Sequence, residues 1–187
     1  MDEQEMLVCR MQEGDTEAFD RIFELYQSRL LRTAYLITGN HADSEDIVQE
    51  TFVKCFCSCK SLKSPEGFAT WLYQIMTRTA WRYGSKRRRE EPVEQLYAKE
   101  EPATGDLPLE NVLRREQQEE LYSRIRKLNQ KQRTVIILYY FSQMSTREIS
   151  QVMGCMEGTV KSRLHTARKN LGDGLREEQM EYGHAEI

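Results

Sequence analysis

With 187 residues, 39% of them hydrophobic and 30% charged, the chain can hold one large domain or two small ones, and the sum of its helical stretches favours two. No apolar run approaches the roughly 20 residues that cross a membrane, and the acidic opening MDEQEMLVCR has no signal-peptide pattern, which reads as a cytoplasmic chain without membrane insertion. A net charge of −3 argues against a DNA binder only until the chain is divided: residues 78–89 carry six bases and no acid, and 144–171 carry five bases against two acids, with acidic blocks between. Phosphate affinity follows the local cationic patch, so such a chain can touch DNA in two places yet bind it weakly on its own.

In chain order, residues 2–12 suggest a short helix, and Gly14 with Asp15 marks a break. Phe19, Ile22, Phe23, Tyr26, Leu30, Ala34 and Ile37 then recur at helical spacing up to Gly39, a core helix with nothing on it that asks for chemistry. Asn40 is an N-cap for the next helix, whose early Asp43, Glu45 and Asp46 suit the positive end of its dipole. Ile47, Val48, Thr51, Phe52 and Phe56 form its inner side, while Asp46, Gln49, Glu50 and Lys54 gather on another face. By pattern alone that face is a wet surface. Cys55, Cys57 and Cys59 invite a metal reading, but on a helix Cys57 lies far around from the other two, and no His or fourth Cys is near in sequence. Cys9 and Cys155 bring the number of cysteines to five, which with a cytosolic setting argues against a disulfide framework. Buried or inert thiols are expected, with no metal site, no cofactor and no catalytic residue.

Cys59 to Gly67 reads as a loop, with Ser64 as N-cap and Pro65 as first residue of the helix FATWLYQIMTRTAWRYGSKRRR. Phe68, Leu72, Ile75, Met76 and Thr79 face a core at a period near 3.6. Trp71 reads as core too. Trp81 and Tyr83 run directly into Arg78, Arg82 and the cluster Lys86 to Arg89, and aromatics interleaved with bases suit single-stranded DNA, where cations follow phosphates and rings stack on unpaired bases. Residues 90–110, with Pro92, Pro102, Pro108, Gly105 and many acids, read as a flexible acidic linker. Helical pattern resumes from Leu109, and Val112, Leu121, Ile125 and Leu128 should pack against Val135, Ile136, Leu138 and Tyr139.

The most specific stretch is 144–171, MSTREISQVMGCMEGTVKSRLHTARKNL. Ser145 with Glu148 three residues on is a capping box that starts a helix, Ile149, Val152 and Met153 give it an apolar face, and Gly154 can stop it in the left-handed conformation. After a turn of Gly154, Cys155 and Met156, a second helix buries Val160, Leu164, Ala167 and Leu171 and turns Glu157, Thr159, Lys161, Ser162, Arg163, Thr166 and Lys169 largely outward. Small residues at its start, Gly158, Thr159 and Ser162, allow close approach to phosphates and base edges, as in the recognition helix of a helix-turn-helix. Met156 cannot accept the first amides of this helix, a loss of about 1 kcal/mol relative to a capping residue. The acidic tail 173–187 is expected to fray.

EGTVKSRLHTARKNL preceded by STREISQVMGC resembles the C-terminal helix-turn-helix of bacterial RNA polymerase sigma factors, the extracytoplasmic-function group in particular. ADSEDIVQETFVKCF resembles the helix with which sigma factors dock on a coiled coil of the polymerase beta-prime subunit, and FATWLYQI resembles the start of the segment that recognises and opens the −10 element. The resemblance implies an all-α chain: a docking and melting domain over 1–89, the linker 90–110, a −35-reading helix-turn-helix domain over 111–172 and the tail 173–187. Asp46, Gln49 and Glu50 would dock on core polymerase. Arg78, Trp81, Arg82, Tyr83, Arg87 and Arg88 would meet the −10 strand, with Lys63 and Ser64 of the preceding loop near a flipped base. Glu157, Thr159, Lys161, Ser162, Arg163 and Arg168 would meet −35 DNA. Where the family commonly has Arg-Asn and later Asp, this chain has Thr77-Arg78 and Arg82, so the base preference of the family does not transfer. The implied partners are core RNA polymerase, promoter DNA in duplex and single-stranded form, and an anti-sigma factor.

Two rivals explain less. A stand-alone helix-turn-helix regulator accounts for 145–171 and leaves the first half without a role. A metal-dependent hydrolase or redox protein built on Cys55 to Cys59 and His41 would require stoichiometric metal.

Overall fold

The computed structural model describes residues 2–90 and 120–172, of which 87–90 by their backbone. Among the described residues every regular element is helical. Helix α1 is Glu3–Gln12, α2 Thr16–Thr38, α3 His41–Ser58 and α4 Phe68–Glu90; after residue 119 come α5 at 120–127, α6 Gln130–Ile136, α7 Thr146–Met153 and α8 Glu157–Leu171. The expected linker at 90–110 and the tail at 173–187 lie outside the described residues, apart from Glu90 at the end of α4.

Local chemistry accounts for most of the helix ends. Asp2 and Glu5 close a capping box on α1, with Asp2 Oδ1 accepting from the Glu5 amide at 2.8 Å. Asp15 and Asn40 accept from the third amide of α2 and α3. Between them Gly39 sits at φ +75° and donates its N–H to the Tyr35 carbonyl at 2.7 Å, the left-handed stop that a side chain would disfavour. Ser64 does not cap by its side chain: Pro65–Gly67 is a single 3-10 turn, and α4 begins only at Phe68. The intervening loop is instead fastened by Gln12, whose Nε2 donates to the carbonyls of Cys59 and Leu62 at 2.9 and 2.8 Å.

The first four helices pack around Ile22, Tyr26, Leu30, Ile47, Phe52, Phe68, Leu72 and Met76, all buried. Phe56, expected inside, is half exposed: Phe52 takes the interior position against Phe19 and Phe23, and Phe56 is left edge-on to Phe19 at 5.1 Å. In the second group Asn129 caps α6, which runs on through a π turn, Ile137–Phe141, closed by the Ser142 amide on the Ile137 carbonyl. Ile125, Leu128, Val135, Ile136 and Leu138 are buried as expected, with Leu121 and Tyr139 packed at the margin.

The two-part helical layout matches the expectation; the contact between the parts is additional. The buried side chains of both groups join in one apolar core, with α4 lying along α7 and α2 against α6 and the π turn. Polar contacts line the seam. Trp81 Nε1 donates to Thr134 Oγ1 at 3.0 Å, Gln74 Nε2 to the Gln151 carbonyl at 2.9 Å, and Arg133 Nη1 to the Ile37 carbonyl at 2.9 Å. Arg126 donates to the Tyr35 hydroxyl at 3.0 Å and stacks over its ring. No described helix is long and apolar enough to cross a membrane.

Candidate nucleic-acid interface

The helix-turn-helix forms as its local sequence dictates. Ser145 and Glu148 complete the capping box, Gly154 ends α7 at φ +61°, and Met156 precedes α8 with no side-chain cap and 80% of its surface exposed. Val160, Leu164, Ala167 and Leu171 are buried, which turns Lys161 and Ser162 fully outward and leaves Thr159 half covered. Four of the expected DNA contacts, Glu157, Lys161, Arg163 and Arg168, have side-chain partners within the chain. Glu157 accepts from Thr146 Oγ1 at 2.7 Å, which staples the start of α8 to α7, and pairs with Lys161 Nζ at 2.9 Å within α8; the Thr146 and Lys161 hydrogen bonds hold its carboxyl below the ordinary value. Arg163 Nη1 lies 3.5 Å from the Cys155 sulfur in the turn. Arg168 Nε donates to the Tyr140 hydroxyl at 2.7 Å, and its guanidinium stacks over the rings of Tyr139 and Tyr140.

On α4 the cationic and aromatic residues stand together near the C-terminal half: Arg78 and Arg82 exposed, Trp81 and Tyr83 half covered. Trp81 uses its indole N–H across the seam, which the sequence did not announce; the signal that existed, aromatics interleaved with bases, pointed to base stacking. Tyr73, by contrast, is buried in the core. Lys63 and Ser64 lie before α4, about 20 Å from Trp81 along a helix rising 1.5 Å per residue. The loop and the aromatic cluster are therefore two ends of one surface and not a single pocket. Arg87 and Arg88 continue α4, and their side chains lie outside the described residues.

On α3, Asp46 and Gln49 are exposed and Glu50 is half covered. Val53, 62% exposed, and Phe56, 50% exposed, continue the Asp46–Gln49 line at helical spacing. Sequence reading missed this apolar extension because it placed Phe56 inside and gave Val53 no role. Glu50 is the junction of the surface. It pairs with Lys54 Nζ at 2.7 Å, Lys54 also donating to Thr79 Oγ1 at 3.1 Å, and both its oxygens accept from Arg82 Nη2. Desolvation raises its pKa, but the hydrogen bonds of Lys54 and Arg82 outweigh it and hold the carboxyl below its ordinary value. Residues expected in two separate sites, Glu50 for docking and Arg82 for DNA, thus meet.

Among the described residues no cluster of His, Cys, Asp and Glu is arranged to hold a metal. Cys55 and Cys59 are buried and Cys57 is exposed, so the three thiols do not converge. Burial, with a smaller contribution from Cys59, pushes the Cys55 thiol up to about 12.

Comparison with known proteins covers both helical groups. Residues 22–90 match the family described as Sigma-70 region 2, and residues 118–171 match Sigma-70, region 4. The chain is 31% identical over 178 residues to the ECF RNA polymerase sigma factor SigW of Bacillus subtilis, covering 91% of this chain and 95% of that one. It is 33% identical over 173 residues to the ECF RNA polymerase sigma-E factor of Haemophilus influenzae, covering 87% and 90%. Among solved structures the fold is similar to CnrH in its complex with the cytosolic domain of CnrY, with a TM-score of 0.69 at 22% identity over 91% of this chain and 95% of that one. It is also similar to the sigma factor RpoE of Bartonella quintana in complex with the anti-sigma factor NepR, with a TM-score of 0.64 at 26% identity over 82% and 93%.

Proposed function

This chain belongs to the extracytoplasmic-function sigma factors of RNA polymerase, initiation factors that bind core polymerase and direct it to promoters, and from that premise we propose which of its residues carry each step. Asp46, Gln49 and Glu50, with Val53 and Phe56 as the apolar part of the same stripe, dock on core polymerase. Arg78, Trp81, Arg82, Tyr83, Arg87 and Arg88 engage the opened −10 strand, and Lys63 and Ser64 reach it from the loop. Lys161, Ser162, Thr159 and Arg163 read −35 DNA from α8, while Glu157 and Arg168 hold that helix in place. The protein acts by binding and not by catalysis, works in the cytoplasm, and is held inactive by an anti-sigma partner, as the complexes of its structural relatives suggest.

The observation that carries this reading is the shared core of the two helical groups. The −10 and −35 elements lie about 25 base pairs apart, about 85 Å at 3.4 Å per pair, whereas a compact body of about 140 residues is about 40 Å across. The closed chain can therefore place only one footprint on a promoter at a time. Docking on polymerase, which separates the groups and fixes both on one scaffold, makes the second contact intramolecular.

Gel-shift of one promoter with the free chain, with core alone and with both together tests this. Tight, specific binding is expected only with both, and Asp46→Lys with Glu50→Lys should abolish it while leaving helical content unchanged. Sequence-specific binding by the free chain, indifferent to core and to charge reversal, would refute the docking assignment. It would favour action as a stand-alone helix-turn-helix regulator.

A further inference from the structure

Two charges that the proposed function sends to different partners are spent on each other. Arg82 presents Nη2 to both oxygens of Glu50, with 57% of the Arg82 side chain and 27% of the Glu50 side chain exposed. Lys54 takes the same carboxylate from within α3 and is itself tied to Thr79 of α4. Tyr83 stands next along, its ring beneath the Arg82 guanidinium at 5.7 Å. Its hydroxyl titrates above the usual value, through burial first and then the nearby carboxylates of Asp46 and Glu50. The acidic line of α3 and the cationic end of α4 thus form one electrostatic unit, although they lie more than thirty residues apart in the chain.

A carboxylate flanked by two cations attracts a third more weakly, and an arginine whose charge faces a carboxylate attracts a phosphate more weakly. We propose that Arg82 is an internal competitor at the docking surface: it occupies Glu50 in the free chain, a cationic side chain of polymerase displaces it on docking, and the released guanidinium then takes a phosphate of the −10 strand. The proposal rests on the assignment of Glu50 to the docking face. Lys54 makes the exchange feasible, because it stays on Glu50 and Thr79 when Arg82 leaves, so the carboxylate is never stranded. Docking and strand engagement are then linked, each favouring the other by the same factor, since both require the same pair to open.

The contact is at the surface, so the factor is modest. Exposed pairs of good geometry are worth up to about fivefold in an equilibrium. In the full chain, Arg82→Gln should tighten binding to core polymerase about three- to fivefold without DNA, and should do nothing in a Glu50→Gln background, where there is no carboxylate to release. On a promoter carrying a pre-melted bubble, the holoenzyme with Arg82→Gln should lose about one unit of its salt slope, the signature of one missing phosphate contact. If Arg82→Gln costs helicity, Arg82→Met makes the same comparison, since it keeps an unbranched stem that favours a helix and removes the charge.

Unchanged or weaker core binding by Arg82→Gln, with Glu50→Gln still impaired, would overturn the competition and leave the docking surface standing. Wild-type core binding by Glu50→Gln would remove Glu50 from the docking surface and the proposal with it. Tighter core binding with an unaltered salt slope would overturn the transfer of Arg82 to DNA.

Discussion

Replacing Trp81 by Phe and Gln74 by Ala opens the seam between the two helical groups with little change to either group. Phe keeps an aromatic face in the same place and removes the indole N–H that bonds Thr134 Oγ1 at 3.0 Å. Thr134 is not orphaned, because its hydroxyl still donates to the Gln130 carbonyl at 2.7 Å. The loss is thus the net worth of one half-buried hydrogen bond, about 1 kcal/mol, and the exposed Gln74 bond to the Gln151 carbonyl adds about 0.5 kcal/mol. The two sites are about 10 Å apart on α4, so their effects should add, to about 1.5 kcal/mol or roughly tenfold in the closed-to-open equilibrium. Energy transfer between dyes on the exposed Cys57 of α3 and on Lys169→Cys of α8, with Cys9 and Cys155 changed to Ser, reads that equilibrium directly. The open-to-closed ratio should rise about tenfold in the double variant. An unchanged distance distribution at unchanged helicity would refute the idea that these bonds hold the groups together. Trp81→Phe should also retain activity on a pre-melted promoter, where Trp81→Ala should lose it, since only the ring face stacks on a base.

On α8 the exposed Lys161 and Arg168 should separate. Lys161→Ala is expected to lower the salt slope of −35 binding by about one unit, while Arg168→Ala, taking a guanidinium off Tyr139 and Tyr140, should lower the melting temperature and leave the slope unchanged; anisotropy titrations at several salt concentrations and a thermal melt check both. Gly154→Ala should cost about 1–2 kcal/mol in chemical denaturation. The cost comes from the left-handed backbone alone, since a Cβ there meets nothing within 4 Å, and Gly154→Asn should cost less. Native alkylation should label Cys57 first and spare Cys55 and Cys59 until unfolding. The buried Cys55 thiol and Tyr26 hydroxyl are both raised to about 12, from 9.0 and 10.0, so the native state holds protons that the unfolded chain releases. The stability they contribute is complete below pH 9 and falls as pH climbs from 9 toward 12, and Cys55→Ala should flatten the lower part of that fall in urea titrations at increasing pH.

Features that close within a turn or two of chain were legible before any coordinates. The capping box of Ser145 and Glu148, the Asn40 cap, the stops at Gly39 and Gly154 and the buried line Val160, Leu164, Ala167 and Leu171 are bonds or stripes among residues at most a few turns apart. Backbone geometry alone decides which of these residues meet. The exposed positions Asp46 and Gln49 of α3 and Lys161 and Ser162 of α8 were legible for the same reason. Tertiary structure decided what those stripes touch. Trp81 finds Thr134 53 residues on, Arg82 finds Glu50 32 residues back and Arg168 finds Tyr140 28 residues back. Phe52 is buried against both Phe19 and Phe23 of another helix, while Phe56 meets Phe19 alone and stays half exposed. Periodicity identifies the face a side chain stands on, and the partner across that face is set by how neighbouring helices pack, where apolar burial is non-directional and the polar groups at its edges take whatever donor or acceptor the packing brings within reach.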